Sequence, residues 1–153
     1  MIVWEKEMVK LQEKKSTISD SEWEAMRIIW TLEPVSSTKI IEELQAKKDW
    51  SESTIKTLLR RLVKKNLLST KKEGRRFVYT AKVNQTQVMA EAAQELLNRM
   101  CDMHKGEVLL QLIANSPISK SDLSKIKEII ATKEKDAPYM VPCNCLPGNE
   151  KMC

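Results

Sequence analysis

The chain has little of what most enzymes use to build a catalytic centre. Its 153 residues contain one histidine, His104, and only three glycines. None of the glycines forms a phosphate-binding loop or the sharp turn that presents a nucleophilic serine. Carboxylates are plentiful, but they are scattered among lysines in helix-patterned segments, as on a solvated surface. We therefore predict that the protein is not an enzyme.

Long apolar runs are also missing. At the N-terminus, "MIVWEKEMVKLQEKK" is interrupted by charge from Glu5 onward, so we expect neither a secretory signal nor a membrane span. Hydrophobic residues nevertheless make up 42% of the chain, which is enough for a core without covalent staples. These features predict a cytoplasmic globular protein with no membrane partner.

Cysteine is scarce and unevenly placed. Cys101 stands alone, whereas Cys143, Cys145 and Cys153 fall within the last eleven residues. Disulfides are rare in a reducing cytoplasm, so the C-terminal group is more typical of a metal or redox site than of a structural bridge. Because the helical pattern has already ended there, we expect a flexible metal-sensing tail over residues 137–153.

Positive charge is concentrated in one segment of the chain. Residues 1–80 carry 17 basic against 12 acidic side chains, whereas residues 81–153 carry 9 of each. Within residues 53–80 there are 9 basic side chains and 1 acid. Such a contiguous basic region is typical of a nucleic-acid-binding surface, although a solvated helix face has the same charge pattern.

Three short helices are predicted in the first half of the chain. Ser19 and Glu22 have the spacing of a capping box, which predicts a helix over Asp20–Leu32 that Pro34 ends. "SSTKIIEELQAK" predicts a second helix with cap-type serines. In "DWSESTIKTLLRRLVKKNLL" apolar residues recur every three or four positions, so one face is expected to be buried. The opposite face mixes hydroxyls and cations and is expected to contain no acid: Ser53, Lys56, Thr57, Arg60 and Lys64.

A β-hairpin is predicted directly after the third helix. In "LLSTKKEGRRFVYTA" two β-prone arms flank Gly74, and aromatic residues alternate along the second arm. Three short helices followed by a basic hairpin is the element order of a winged helix-turn-helix. We place this domain at residues 18–82, after an N-terminal extension of residues 1–17, and predict a mainly α fold with a small β-hairpin.

A helical dimerisation domain is predicted over residues 83–136. Residues 84–103 contain neither Pro nor Gly, which predicts one long helix. Gly106 is expected to interrupt the helical pattern after it. Its heptad-like apolar seam requires a partner, either a second copy of the chain or the later helices of the same chain. The last helix, in "SKSDLSKIKEIIATKEK", is expected to bury Leu123, Ile126 and Ile130. The seam consists of Met89, Ala93, Leu96, Met100 and Met103.

Four segments carry a resemblance to a known family. "ISDSEWEAMRIIW", "STIKTLLRRLVKKNLL", "EGRRFVYTA" and "VPCNC" together resemble the penicillinase-repressor (BlaI/MecI-like) family, and the last is similar to its copper-responsive CopY type. The likeness extends from Ile18 to Cys145. It implies a homodimer that binds double-stranded operator DNA with TACA/TGTA-type half-sites. It also implies release of the DNA when Cu(I), the inducer, binds. As separate expectations, Zn(II) favours the DNA-binding form and a copper chaperone is a further partner.

Side chains of the third helix and the hairpin are assigned to DNA. Hydroxyls and cations of a recognition helix reach base edges in the major groove, whereas flanking cations neutralise phosphates. We assign base-edge contacts to Ser53, Thr54, Lys56 and Thr57, and backbone contacts to Arg60, Arg75 and Arg76.

Metal binding is assigned to Cys143, Cys145 and Cys153. Thiolates select Cu(I) and are accepted by Zn(II), which prefers four ligands. The family pattern of two C-x-C pairs is incomplete, because Cys153 stands alone in place of the second pair. Three sulfurs of one protomer would satisfy trigonal Cu(I), two tails would pool six, or Cys101 and His104 would complete a Zn(II) site. A degenerate sensor with weakened affinity is a further alternative.

Two other functions fit parts of the pattern. A β-lactam-responsive repressor inactivated by proteolysis shares the fold, with Gln111 and Leu112 at the position of the susceptible bond. That function leaves the cysteine tail without a purpose. A copper carrier or buffer uses the cysteines but needs no DNA target, and the basic segment argues against it.

Overall fold

The computed structural model describes residues 17–148. Cys153 and residues 1–16 of the predicted extension lie outside this range. The described chain divides into two units, one ending at Val88 and the other beginning at Met89. The first unit contains three short helices and a small sheet, so the predicted mainly α fold with a β-hairpin is confirmed.

Helix α1 spans Asp20–Leu32, as predicted, and a capping box closes its first turn. The Ser19 hydroxyl accepts a hydrogen bond from the Glu22 amide at 3.3 Å, and the Glu22 carboxylate accepts one from the Ser19 amide at 3.2 Å. Glu22 is only 2% exposed, and its Oε2 lies 2.6 Å from Lys65 Nζ. This buried carboxylate therefore joins the start of α1 to Lys65, the residue that directly follows the third helix.

Helices α2 (Ser37–Lys47) and α3 (Glu52–Lys64) follow, and serine residues cap both. Ser36 Oγ accepts from the backbone amide of the third residue of α2, and Ser51 Oγ does the same for α3. Both predicted helices are thus confirmed. Each fully buried aliphatic side chain in the shared core contributes about 1.5–3 kcal/mol. The core consists of Ala25, Met26, Ile28, Ile29, Val35, Ile40, Leu44, Ile55, Leu59, Leu62 and Leu68.

An antiparallel sheet of three strands completes the first unit. Strands β2 (Leu68–Glu73) and β3 (Arg76–Ala81) form the predicted hairpin, and β1 (Val35–Ser36) pairs with the other edge of β3. The register leaves Gly74 and Arg75 as the turn, and Gly74 adopts a φ of +63°, which favours glycine. Strand β1 was not predicted, because two residues are too few to show the alternation of a strand.

Helix α4 (Gln85–Asn98) leads from the first unit into the second. A 3₁₀ turn at Asp102–His104 and helices α5 (Lys105–Asn115) and α6 (Lys120–Glu134) follow. Helix α6 begins at a serine cap, where the Ser119 hydroxyl donates a hydrogen bond to an Asp122 carboxylate oxygen at 2.7 Å. The hydrogen bond from Ser119 lowers the pKa of Asp122 from its ordinary value of 3.8.

The long helix predicted over residues 84–103 ends early. Helix α4 ends at Asn98, and Gly106 lies inside α5 rather than at a break. The intervening residues include neither Pro nor Gly, so the sequence offers no local stop signal. At the break, the Asp102 amide donates to Asn144 Oδ1 at 2.9 Å, a contact between residues 42 positions apart. A distant segment of the chain thus makes contact at the break that follows α4.

Helices α4, α5 and α6 expose much of their apolar surface. Leu123 and Ile130 were predicted to be buried, but both are exposed in the single chain. The most exposed apolar side chains on these helices are Leu110 at 70% and Ile129 at 64%. Within residues 17–148, no helix combines the length and the apolar character needed to cross a membrane. The other exposed large apolar residues of these helices are Met89, Leu96, Leu109, Leu112 and Ile113.

Candidate nucleic-acid interface and cysteine cluster

Helix α3 divides into a buried face and a polar face. Its apolar side packs into the core, where Ile55 and Leu62 are fully buried. Because the core holds this face, the polar face is presented to solvent in a defined orientation. All the residues of α3 that were assigned to DNA are exposed: Ser53, Thr54, Lys56, Thr57 and Arg60.

The hydroxyl groups at the start of α3 are held by the Ser51 cap. Ser51 Oγ lies 3.0 Å from Ser53 Oγ and 2.9 Å from Thr54 Oγ1. One turn later, the Thr57 hydroxyl donates to the Ser53 carbonyl oxygen at 2.9 Å. A hydroxyl has two acceptor lone pairs as well as one donor, so these groups retain acceptor capacity while their positions are restrained. The polar face thus combines oriented hydroxyls with cations.

An acid borders the polar face of α3. Glu52, in the first turn, forms an ion pair with Lys56 at the i, i+4 spacing. The expected absence of acid is therefore wrong at the N-terminal edge of this face. The i, i+4 spacing of Glu52 and Lys56 is visible in the sequence, but Glu52 lies one residue before the basic segment of residues 53–80. In the free chain this carboxylate thus holds one of the three donors of the Lys56 ammonium.

The hairpin contributes two further cations. Arg75 lies in the turn and Arg76 begins β3, and both side chains are exposed. On the adjacent strand, Lys71 Nζ lies 3.9 Å from a carboxylate oxygen of Glu73. Helix α3 packs against β2, so the hairpin and the polar face of α3 belong to the same packed unit.

Three cysteines of the second unit lie together. The sulfur atoms of Cys101, Cys143 and Cys145 all lie within 4.8 Å of one another. Cys143 is only 8% exposed, Cys101 is half-buried and Cys145 is exposed. The Cys145 amide donates to Cys143 Sγ at 3.5 Å, a contact that orients this sulfur. Asn144, between the two tail cysteines, accepts the hydrogen bond from Asp102 described above.

The membership of this cluster differs from the predicted metal set. Cys143 and Cys145 belong to it, whereas Cys153 lies outside the described residues. Cys101, which the sequence suggests only as an additional zinc ligand, also belongs to it. His104, which the sequence suggests for the same role, is not part of the group. The sequence holds no spacing signal for Cys101, because more than forty residues separate it from its neighbours.

The donor set fits a soft metal ion. Thiolates are the ligands that select Cu(I), whereas a structural zinc site is closed by four ligands. Within residues 17–148, the group contains three sulfurs and neither a histidine nor a carboxylate. These residues therefore have the donor chemistry of a soft-metal site.

The first unit defines the class of the protein. Its three helices, the cationic polar face of α3 and the adjoining β-hairpin are those of a winged-helix DNA-binding domain. A protein-family model described as "Penicillinase repressor" matches residues 18–132, which extend from the start of the first unit almost to the end of α6. The chain belongs to the penicillinase-repressor family of transcriptional repressors.

Relatives match both units of the chain. A Latilactobacillus sakei protein described as "Uncharacterized 16.5 kDa protein in ptsI 3'region" is 46% identical over 138 residues, covering 90% of this chain and 94% of the relative. The methicillin resistance regulatory protein MecI of Staphylococcus aureus strain N315 is 31% identical over 123 residues, covering 80% of this chain and all of MecI. The Bacillus licheniformis penicillinase repressor is 33% identical, covering 74% of this chain and 88% of the relative. The solution structure of the DNA-binding domain of the repressor BlaI is 41% identical, covers 49% of this chain and 92% of that domain, and has a TM-score of 0.45.

Proposed function

We propose that this chain is a copper-responsive repressor. It binds a two-fold operator as a homodimer and releases it when Cu(I) occupies the cysteine thiolates near the C-terminus. The observation that carries the proposal is the presence, in one chain of the penicillinase-repressor family, of the cationic α3 face and the three-sulfur cluster. It is a cytoplasmic DNA-binding protein without catalytic activity.

The DNA part of the proposal rests on the polar face of α3 and the hairpin. Lys56 and the adjacent hydroxyls meet base edges in the major groove, and Arg60 with the hairpin arginines meets phosphates. Half-sites of the TACA/TGTA type, which the resemblance implies, are the expected target. The exposure of these side chains and the buried opposite face of α3 support this assignment.

The homodimer is supported by the apolar surface that one chain leaves exposed. Leu110 and Ile129 are mostly exposed, and the seam residues Met89 and Leu96 are more than half exposed. A second copy with the same surface would bury these side chains symmetrically. Two winged helices held in this way match the two halves of a symmetric operator.

The proposed response to copper is a linkage between two sites. An ion that binds more tightly to the form with lower DNA affinity reduces the affinity for operator DNA. By linkage, operator DNA reduces the affinity for the ion by the same factor. Cu(I) is the inducer in this scheme, supplied by a copper chaperone, and Zn(II) favours the DNA-binding form. The cysteine cluster supports this input because its soft donors select Cu(I).

A β-lactam signal is the alternative input. It is favoured by two relatives, which are named MecI and penicillinase repressor. Gln111 and Leu112, the position expected for proteolytic inactivation, are exposed on α5. This alternative assigns no function to the three sulfurs, which is why the copper-responsive function is preferred. A copper buffer is disfavoured by membership of a repressor family.

A mobility-shift assay tests the proposal. The wild-type chain should retard operator DNA, and stoichiometric Cu(I) should abolish the shift under anaerobic conditions. The Cys143→Ser/Cys145→Ser double variant should retard the same DNA with or without copper. Equal loss of the shift in both proteins would exclude the copper sensor, and failure of the wild type to retard any DNA would favour the buffer.

A further inference from the structure

We infer that Cys101 is the third protein ligand of an intrachain Cu(I) site whose other ligands are Cys143 and Cys145. Sequence alone assigned the third thiolate to Cys153. The ligand set depends only on the geometry of the second unit. Its regulatory consequence, given below, rests on the proposed function.

The separation of the three sulfurs is close to what one ion requires. All lie within 4.8 Å of one another. Metal–thiolate bonds of about 2.3 Å place sulfurs about 4 Å apart around a three-coordinate ion. The cluster therefore needs to contract by less than about 1 Å, which small rotations of cysteine side chains provide. No backbone rearrangement is required to bring the ligands together.

Backbone contacts hold the tail cysteines against Cys101. The Asp102 amide donates to Asn144 Oδ1 at 2.9 Å, which fixes the residue between Cys143 and Cys145 beside the residue that follows Cys101. The Cys145 amide donates to Cys143 Sγ at 3.5 Å. Outer-shell contacts of this kind orient metal ligands and tune their affinity. Cys143 Sγ and the tail segment around Asn144 are thus positioned by hydrogen bonds that do not involve the metal.

Burial supports a defined site with one open side. Cys143 is only 8% exposed although it lies beyond the last helix, and Cys101 is half-buried. Cys145 is exposed and faces solvent, from which an ion or a donor protein can approach. A metal site needs both fixed ligands and such an entry path.

Cys101 also determines what metal binding does to the fold. A site made only of tail cysteines would hold the ion within the tail and would leave the helices unconstrained. A site that includes Cys101 ties residues 143–145 to the break between α4 and α5. Helix α4 leads directly from the winged-helix unit to that break. In the proposed repressor, copper therefore acts on the helix that continues the DNA-binding unit.

Two matched variants of the full-length chain test the inference. Cys101→Ser and Cys153→Ser each remove one sulfur, and each is titrated anaerobically with Cu(I) against bathocuproine disulfonate. Cys101→Ser should lose more than about tenfold in Cu(I) affinity, because loss of even an outer-shell contact costs about 10–100-fold. X-ray absorption should show its sulfur coordination falling from three to two. Cys153→Ser should match the wild type in both measurements.

The opposite result overturns the inference. Wild-type Cu(I) affinity and three-sulfur coordination in Cys101→Ser would exclude Cys101 as a ligand. Cys101 would also be excluded if only Cys153→Ser lost Cu(I) affinity and one coordinating sulfur. A measurement on the wild type covers the case in which Cys101→Ser fails to fold. Stoichiometric Cu(I) should protect Cys101, Cys143 and Cys145 from iodoacetamide and leave Cys153 reactive, and alkylation of Cys101 in the copper-loaded protein contradicts the inference.

The same samples separate this inference from the proposed function. If Cys101→Ser loses Cu(I) affinity while Cu(I) fails to release operator DNA from the wild type, the ligand assignment holds and the sensor function fails. If operator release from Cys101→Ser needs the same buffered Cu(I) concentration as release from the wild type, the sensor function holds and the assignment fails.

Discussion

Lys56, on the polar face of α3, is ion-paired with Glu52 one helical turn earlier. Both side chains are exposed, so the pair is screened by solvent and contributes little to folding. In the proposed DNA interface the pair matters for binding, because the carboxylate is paired with the cation that is assigned to a base edge. We therefore expect Glu52 to compete with operator DNA for Lys56.

Substitution of Glu52 by Gln should tighten DNA binding. Removal of the carboxylate releases Lys56 and removes a negative charge that repels phosphates, so we expect a gain of about 2–5-fold in affinity at low salt, within the range of an exposed ion pair. Fluorescence anisotropy with operator DNA measures the gain. Glu128→Gln on α6 makes the same charge change outside the first unit and should leave affinity unchanged. Weaker binding by Glu52→Gln would show that the acid helps to position Lys56.

Substitution of Lys56 by Ala should reduce sequence discrimination. Loss of a base-edge contact costs about 1–3 kcal/mol at one base pair and weakens operator binding, while binding to random DNA changes less. The comparison partner is Arg76→Ala, which should weaken binding to all sequences alike and flatten the salt dependence. Salt titrations on operator and random DNA distinguish the two variants. Wild-type behaviour of both would show that this face does not bind DNA.

Substitution of Lys65 by Met should destabilise the first unit. Glu22 is 2% exposed and would lose its cationic partner, leaving a buried carboxylate with one fewer hydrogen bond. Such a loss costs about 1–3 kcal/mol. Urea unfolding followed by tryptophan fluorescence measures it. Lys64→Met removes an exposed neighbouring lysine and should change the unfolding free energy by less than about 0.5 kcal/mol. Equal stability of the two variants would contradict the importance of the Glu22 contact.

Substitution of Leu110 by Glu should prevent dimer formation. Leu110 is 70% exposed in the single chain, and a charge placed there would be buried without a partner in the expected interface. Sedimentation velocity should report a monomer for this variant. Leu32→Glu places the same charge at an exposed leucine at the end of α1 and should remain dimeric. If Leu110→Glu formed a dimer of unchanged affinity, the dimer interface would not include Leu110 on α5.

Substitution of Ser119 by Ala should raise the pKa of Asp122 toward its ordinary value. The hydrogen bond from Ser119 holds the folded pKa of Asp122 below 3.8. The contribution of this contact to α6 is thus fully present above pH 3.8 and is lost as pH falls through the folded pKa. A titration of carboxyl resonances by NMR should show the shift for Asp122. An unchanged Asp122 titration in Ser119→Ala would mean that the hydroxyl does not stabilise the carboxylate.

Local sequence was sufficient for the three helices and the hairpin of the first unit, though not for the two-residue strand β1. Ser19 and Glu22 satisfy each other's backbone amides across three residues, so their spacing alone predicted the start of α1. The polar residues of α3 could be assigned in the same way, because the 3.6-residue period places buried and exposed side chains on opposite faces. Gly74 marked the hairpin turn, since a positive φ favours glycine. Membership of the penicillinase-repressor family was predicted from such segments and is confirmed by the match over residues 18–132.

Sequence alone thus determined which segments form helices, where the hairpin turns and which face of α3 is polar, because each depends on residues a few positions apart. Only the tertiary structure decided that α4 ends at Asn98 and that Cys101 lies beside Cys143 and Cys145. The cysteine cluster joins residues more than forty positions apart, and the hydrogen bond from Asp102 to Asn144 lies at the break that follows α4. Such contacts are set by how helices and tail pack, and neither periodicity nor capping signals encode that packing locally.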